Sequence, residues 1–222
     1  MNRKEVFTQL VEVGIMPAVR AGVKELALFA AETLHDAGIP VVEITQTVPN
    51  AVDVIAQLTK RYPHFIVGAG TVLDTETAQR CLDAGAGFIS SPGLVLEVVE
   101  FTLKNEVVAI PGALTPSEVI AGWKAGADLV KIFPCAQMGG DQYIRALKTP
   151  LPQIPLIASG GINLLNAANF IVAGASVLGI GSELMPKDAL LARRDYWIRE
   201  LARRFIEAVH NARTHMSRGD RA

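Results

Sequence analysis

The apolar residues of this chain come in short runs, each followed by a longer stretch in which they recur at helical spacing. Val6, Leu10 and Val13 lie three and four apart, which predicts a short amphipathic helix over residues 3–13. After Gly14 the pattern becomes the continuous run Ile15 to Val19, ending at Arg20, as expected of a strand buried on both faces. A helix follows over about 24–37, closed by Gly38 as a C-terminal cap. The unit then repeats. Val41 to Thr45 leads to a turn at Pro49-Asn50 and a helix from Ala51. Phe65 to Gly70 leads to Thr71 and a helix beginning near Asp74, and Phe88 to Ser90 to Ser91-Pro92-Gly93 and another helix. Val107 to Ile110 runs into Pro111-Gly112 and a helix opened by the capping pattern Thr115-Pro116-Ser117-Glu118. A sixth run, Leu129 to Pro134, precedes a helix around 141–148. A seventh, Pro155 to Ala158, ends in Ser159-Gly160-Gly161, and an eighth, Ser176 to Ile180, in Gly181-Ser182. A long helix over about 192–212 comes last.

Eight strands alternating with helices over about 200 residues predict an α/β fold of the (β/α)8 TIM-barrel type, a single domain over residues 1–213. A doubly wound sheet also alternates, but no glycine fingerprint follows the first strand. Several helices end in the same small-residue turn, as at Asp36-Ala37-Gly38, Asp83-Ala84-Gly85, Lys124-Ala125-Gly126 and Val172-Ala173-Gly174, which marks one repeated βα grammar. The polar tail, 214–222, is expected to be disordered, and its Arg-Gly-Asp at 218–220 reads as chance.

Composition narrows the function. Half of the 222 residues are hydrophobic and 19% are charged, enough to build a substantial core. The net charge of −1, with both signs scattered, gives no electrostatic case for a nucleic-acid or membrane partner. No apolar run reaches transmembrane length, and the start, MNRKEVFTQLVEVG, lacks the apolar core of a signal peptide. Two cysteines, Cys81 and Cys135, in no metal-like or redox spacing fit a reducing cytosol. The expectation is a cytoplasmic protein.

In such a barrel the active site lies at the carboxyl ends of the strands. Those ends carry Arg20; Glu43, Thr45 and Thr47, spaced by two and so on one face; Gly70 and Thr71; Ser91 and Pro92; Lys131 and Phe133; Ser159, Gly160 and Gly161; and Gly181 and Ser182. The four histidines, His35, His64, His210 and His215, fall on helices, in a loop or in the tail, so no metal is expected and no other cofactor is indicated. Cys135 has no histidine beside it to activate it as a nucleophile, and a small apolar-context cysteine is the plainer account.

Of the eight lysines only Lys131 sits inside an apolar strand, and Glu43 is the one carboxylate in a strand interior. Lys131 either reaches solvent from its strand or stays buried beside a partner. Glu43 is that partner, either in a structural ion pair or in imine chemistry. In the second case the amine condenses with a ketone, the iminium draws electrons from the adjacent carbon–carbon bond, and the carboxylate moves the protons. The glycine loops after strands seven and eight are either tight turns or, with Arg20, a phosphate site for the substrate's tail.

In order along the chain, Val42-Glu43-Ile44-Thr45, Gly68-Ala69-Gly70-Thr71-Val72, Ser91-Pro92, Lys131-Ile132-Phe133-Pro134 and Ser159-Gly160-Gly161 resemble the 2-dehydro-3-deoxy-phosphogluconate (KDPG) aldolase / 4-hydroxy-2-oxoglutarate (KHG) aldolase family, from about residue 4 to residue 210. The resemblance implies a metal-free class I aldolase, assembled as a homotrimer, cleaving KDPG to pyruvate and glyceraldehyde 3-phosphate. It makes Lys131 the Schiff-base lysine, Glu43 the general acid/base and Thr71 the carboxylate contact, with Pro92 and Phe133 lining the pocket. Ser159, Gly160, Gly161 and Ser182, with Arg20, would hold the phosphate. Many members carry an arginine where this chain has Thr47, although others share its Thr-Val-Pro form, and Ser159 stands where threonine is common. The galactonate epimer, an unphosphorylated keto acid or 4-hydroxy-2-oxoglutarate stay open as substrates. A silent phosphosugar-binding barrel is the alternative of another class, with the intact Lys131 and Glu43 against it.

Overall fold

The apolar runs form strands whose neighbours in space are their neighbours in sequence. The computed structural model describes residues 1–219. In chain order the strands are β1 (Ile15–Val19), β2 (Val41–Thr45), β3 (Ile66–Gly70), β4 (Phe88–Ser90), β5 (Val108–Ile110), β6 (Gly112–Ala113), β7 (Val130–Ile132), β8 (Leu156–Ser159) and β9 (Val177–Ile180). The helices are α1 (Arg3–Val13), α2 (Lys24–Asp36), α3 (Ala51–Arg61), α4 (Thr75–Asp83), α5 (Leu96–Lys104), α6 (Pro116–Lys124), α7 (Gly140–Lys148), α8 (Ala167–Val172), α9 (Lys187–Leu191) and α10 (Asp195–Gly219). Strand pairing is parallel and follows the order β5-β4-β3-β2-β1-β9-β8-β7-β6. Helices cover the outer face and facing strands the inner one, which is why the strands read as apolar runs without alternation.

The ends of this order meet within one predicted strand. The fifth unit is split at Pro111: Val108–Ile110 pairs with β4 and Gly112–Ala113 with β7. Proline has no N–H to continue the ladder toward β4. Its carbonyl accepts from the Lys131 N–H at 2.9 Å, and the Gly112 N–H turns to the Gly93 carbonyl at 3.2 Å. The eight βα units therefore appear as nine strand segments in a nearly closed α/β barrel.

The two ends of the chain brace the barrel. Helix α1 is opened by an Asn2–Glu5 capping box. Its Arg3 pairs with Asp128 at 2.9 Å, and Asp128 in turn accepts from the Ala109 N–H at 2.9 Å. Arg213 of α10 donates to the carbonyls of Glu12 (2.6 Å), Val11 (2.7 Å) and Ser176 (2.9 Å). The late helix expected over about 192–212 is α10, and a short helix that the hydrophobic pattern did not give, α9, precedes it. Short α9 ends at Leu191, the chain turns through Arg193 at φ 48°, and α10 starts at Asp195. Neither glycine nor proline marks the break between them, so the sequence carries no stop signal there. At the other end α10 continues through residues 214–219, where polarity had suggested disorder. No proline interrupts that stretch, and the Thr214 hydroxyl bonds back to the His210 carbonyl at 2.9 Å. Residues 220–222, including the Asp of the Arg-Gly-Asp sequence, lie outside the described residues. Among the described residues no helix is long and apolar enough to cross a membrane.

One apolar core runs from Val6 on α1 to Ala212 on α10. Within it, Gly68 makes room for the ring of Phe88: a Cβ at Gly68 would fall 2.2 Å from the ring carbons, and Phe88 is fully buried and cannot swing away. Gly68→Ala should therefore lower the unfolding free energy by about 1–3 kcal/mol through overpacking. Denaturant titration reads this directly, and an unchanged midpoint would show that the ring has somewhere to go.

Candidate active site

Lys131 is the middle residue of β7 and only 6% exposed. Glu43 is the middle residue of β2 and 1% exposed. The two strands lie diametrically opposite in the ring, and the side chains meet across its interior with Lys131 Nζ 3.6 Å from Glu43 Oε2. That separation is an ion pair but too long for a hydrogen bond. The lysine amine donates instead to Ser90 Oγ at 2.7 Å, and Ser90, fully buried, ends β4, midway round the barrel between the other two. Glu43 Oε2 is buried without a hydrogen-bond partner. Such an atom is costly to keep and is rare in folded proteins, which makes it a candidate acceptor for something that enters the barrel.

Barrel interiors are filled in layers by side chains from alternate strands, normally Val, Ile and Leu. Here the alternate strands β2, β4 and β7 supply Glu43, Ser90 and Lys131, and β9 supplies Gly179, which has no side chain to give. A cavity of ≈ 130 Å³ is left above them. Gly70 on β3 keeps the carboxylate in place by its own absence of bulk: a Cβ there would lie 2.1 Å from Glu43 Oε1.

Around this chamber the structure gathers Thr71, Pro92 and Phe133 on one side and Ser159, Gly160, Gly161, Gly181 and Ser182 with Arg20 on the other. Thr71 has φ 60°, a left-handed conformation that a β-branched residue adopts only under constraint. Gly160 and Gly161 have φ 90° and 78°, so the loop after β8 needs glycine at both positions to turn over the chamber. Thr45 and Thr47 are not brought to the chamber. The Thr45 hydroxyl donates to the Val19 carbonyl at 3.0 Å and sits 2.7 Å from that of Thr47, so the pair ties the top of β2 to β1. Thr47 lines a larger outer groove of ≈ 610 Å³, which shares Arg20, Gly181 and Ser182 with the chamber.

Reading by strand ends passed over Ser90, which accepts from the Lys131 amine, Glu183 in the chamber wall and Lys187 in the groove. Alternation between strands was the available signal for Ser90, since β4 alternates round the barrel with the strands that carry Glu43 and Lys131. The two thiols are inert. Burial pushes Cys81 up to about 11 and Cys135 up to about 12, so neither supplies a thiolate near neutral pH. Among the described residues no three of the His, Cys, Asp and Glu side chains gather where they could hold a metal ion.

The whole constellation has relatives. The family model described as KDPG and KHG aldolase matches residues 6–199. A "KHG/KDPG aldolase" of Escherichia coli K12 is 36% identical over 196 residues, covering 88% of this chain and 92% of that protein. Among solved structures, one named "Native KDPGal structure" superposes with a TM-score of 0.83 at 30% identity, covering 90% of this chain and 96% of the other. A KDPG aldolase from Legionella pneumophila, with pyruvate captured as a covalent carbinolamine intermediate, superposes with a TM-score of 0.82 at 30% identity, covering 88% and 95%. With its motifs, its barrel and nearly its full length matched in this way, the chain belongs to the KDPG and KHG aldolase family.

Proposed function

We propose that this protein is a class I aldolase, a carbon–carbon lyase, that cleaves 2-dehydro-3-deoxy-6-phosphogluconate to pyruvate and glyceraldehyde 3-phosphate through a Schiff base on Lys131. The observation that carries this is the buried lysine 3.6 Å from a buried glutamate whose Oε2 has no hydrogen-bond partner. The carbinolamine seen in the Legionella relative is the intermediate such chemistry passes through.

The neutral Lys131 amine attacks the substrate's C2 ketone, and Glu43 carries a proton from nitrogen to oxygen to give the carbinolamine. Protonation of that hydroxyl by Glu43 expels water and leaves the iminium. The carboxylate then takes the proton of the C4 hydroxyl. The C3–C4 bond breaks, its electron pair moves into the iminium to form an enamine, and glyceraldehyde 3-phosphate leaves as the aldehyde. Protonation of the enamine at C3 and addition of water release pyruvate and the free amine. Each proton taken by Glu43 is returned within the cycle, so the chemistry calls for no cofactor.

Thr71 binds the pyruvyl carboxylate at the rim, with Pro92 and Phe133 as walls. Gly160, Gly161, Gly181 and Ser182, with Ser159 and Arg20, hold the phosphate at the mouth. Thr45 and Thr47 act from behind, through their hydroxyl pair, on the edge shared with the outer groove. 4-Hydroxy-2-oxoglutarate, giving pyruvate and glyoxylate, is a second substrate, in keeping with the double name of the E. coli relative. The similarity to the "KDPGal" structure supports a second reading, in which the galactonate epimer is preferred. The assembly is a homotrimer working in the cytoplasm, as the family resemblance implies. Sedimentation as a monomer, or recovery outside the cytoplasm on cell fractionation, would remove those two statements.

Pyruvate with borohydride is expected to leave a stable adduct on Lys131, read by intact mass and peptide mapping. Lys131→Ala should abolish both adduct and cleavage, and Glu43→Gln should lower kcat by roughly 10²–10⁴-fold with the fold intact. An unlabelled wild-type protein, or full turnover in either variant, would overturn the assignment. Gly70→Ala should cost about a hundredfold in kcat, because its methyl group displaces the Glu43 carboxylate without touching substrate. Wild-type kcat in that variant would show that the carboxylate's position is not critical. For the tail, kcat/KM should fall on removing the phosphate or on Arg20→Ala, and equal efficiency on phosphorylated and unphosphorylated substrates would dismiss the phosphate site. Measuring the gluconate and galactonate epimers side by side decides between the two readings.

A further inference from the structure

We propose that Ser90 is a positioning residue for Lys131. Its hydroxyl takes the N–H that the amine would otherwise give to Glu43, and so holds nucleophile and proton carrier apart until substrate comes between them. This rests on Lys131 being the Schiff-base lysine.

Three features carry the inference. The amine lies closer to a neutral oxygen than to the carboxylate, 2.7 Å from Ser90 Oγ against 3.6 Å from Glu43 Oε2. Ser90 is fully buried at the end of β4, and the β4–β5 register, Ser90 opposite Ile110, fixes its backbone in the barrel. The next serine does different work: Ser91 Oγ donates to the Gly93 carbonyl at 2.7 Å and shapes the turn at Pro92. A hydroxyl serves an amine in either protonation state, whereas a carboxylate in contact holds the proton on it. The same bond has a use later in the cycle. An iminium nitrogen keeps a single hydrogen, and an acceptor 2.7 Å from Nζ fixes the plane of the C=N bond by accepting it. That plane decides which bond of the substrate lies parallel to the π system and can break. With the amine tethered to Ser90, Glu43 Oε2 is left open for the substrate's hydroxyl groups.

The test compares Ser90→Thr with Ser90→Val, which are matched in volume and differ in the hydroxyl. We expect kcat of S90V to lie about tenfold below that of S90T, with KM within about threefold, the loss of one hydrogen bond to a charged group. The rate of borohydride trapping with pyruvate should fall by the same factor, while the unfolding midpoints of the two variants coincide. A merely structural serine would move the midpoints and leave the ratio of trapping rates at one. Equal kcat and equal trapping in S90T and S90V overturn the proposal. If the added methyl group unfolds both, S90A against wild type makes the same comparison, and equal trapping rates there overturn it as well. An adduct on wild-type Lys131 with no difference between S90T and S90V sinks the role of Ser90 alone. No adduct on wild-type Lys131 sinks the Schiff-base assignment first.

Discussion

An amine and a carboxylate held out of water in the middle of a barrel set the terms for everything around them. Removing two charges from solvent costs several kcal/mol for each ion, and attraction between them offsets that only when geometry and hydrogen bonds are good. Here they are good on one side only. The amine is 2.7 Å from a serine oxygen, while one oxygen of the carboxylate has nothing to accept. Stability alone would not favour such an arrangement. It makes sense as a ground state waiting for a partner.

The surrounding fold meets that cost by being rigid. Lys131 and Glu43 stand on opposite strands of the nearly closed barrel, so the sheet fixes their backbones relative to each other. The ring closes through the Pro111 carbonyl, which accepts the backbone N–H of Lys131 itself. The split in the fifth strand and the position of the reactive amine are thus one local event. Farther away, α1 and α10 clasp the other end through Arg3 and Arg213. Sites built on strands of such a scaffold hold their geometry better than sites built on loops.

Much of this was legible in the residues, for identifiable reasons. An apolar run with one charge in it stands out, so Lys131 and Glu43 could be paired before any coordinates, and the glycine loops marked where the chain must turn. The failures have physical causes too. Thr45 and Thr47 share a parity with Glu43, but strand parity does not foretell that a hydroxyl will turn to a neighbouring carbonyl. Ser90 reads in the sequence as the plain end of a strand, because its contact with the Lys131 amine is a matter of barrel layering. The turn through Arg193 carries no glycine or proline, and only the packing of α9 and α10 reveals it.

Gly179, the member of the layer that contributes nothing, has the widest consequence. A barrel of this kind is ordinarily solid, and its interior gives up no stability to function. This one has no side chain at Gly179, where a Cβ would meet Ser159 Oγ at 2.7 Å, and it carries three polar side chains on the other alternate strands. The distance between an inert scaffold and a reactive one is therefore a few side chains in one stratum, with the backbone common to both. Filling that stratum with aliphatic residues would exchange reactivity for cohesion, and emptying the equivalent stratum of an unrelated barrel is the corresponding first step toward giving it a reaction.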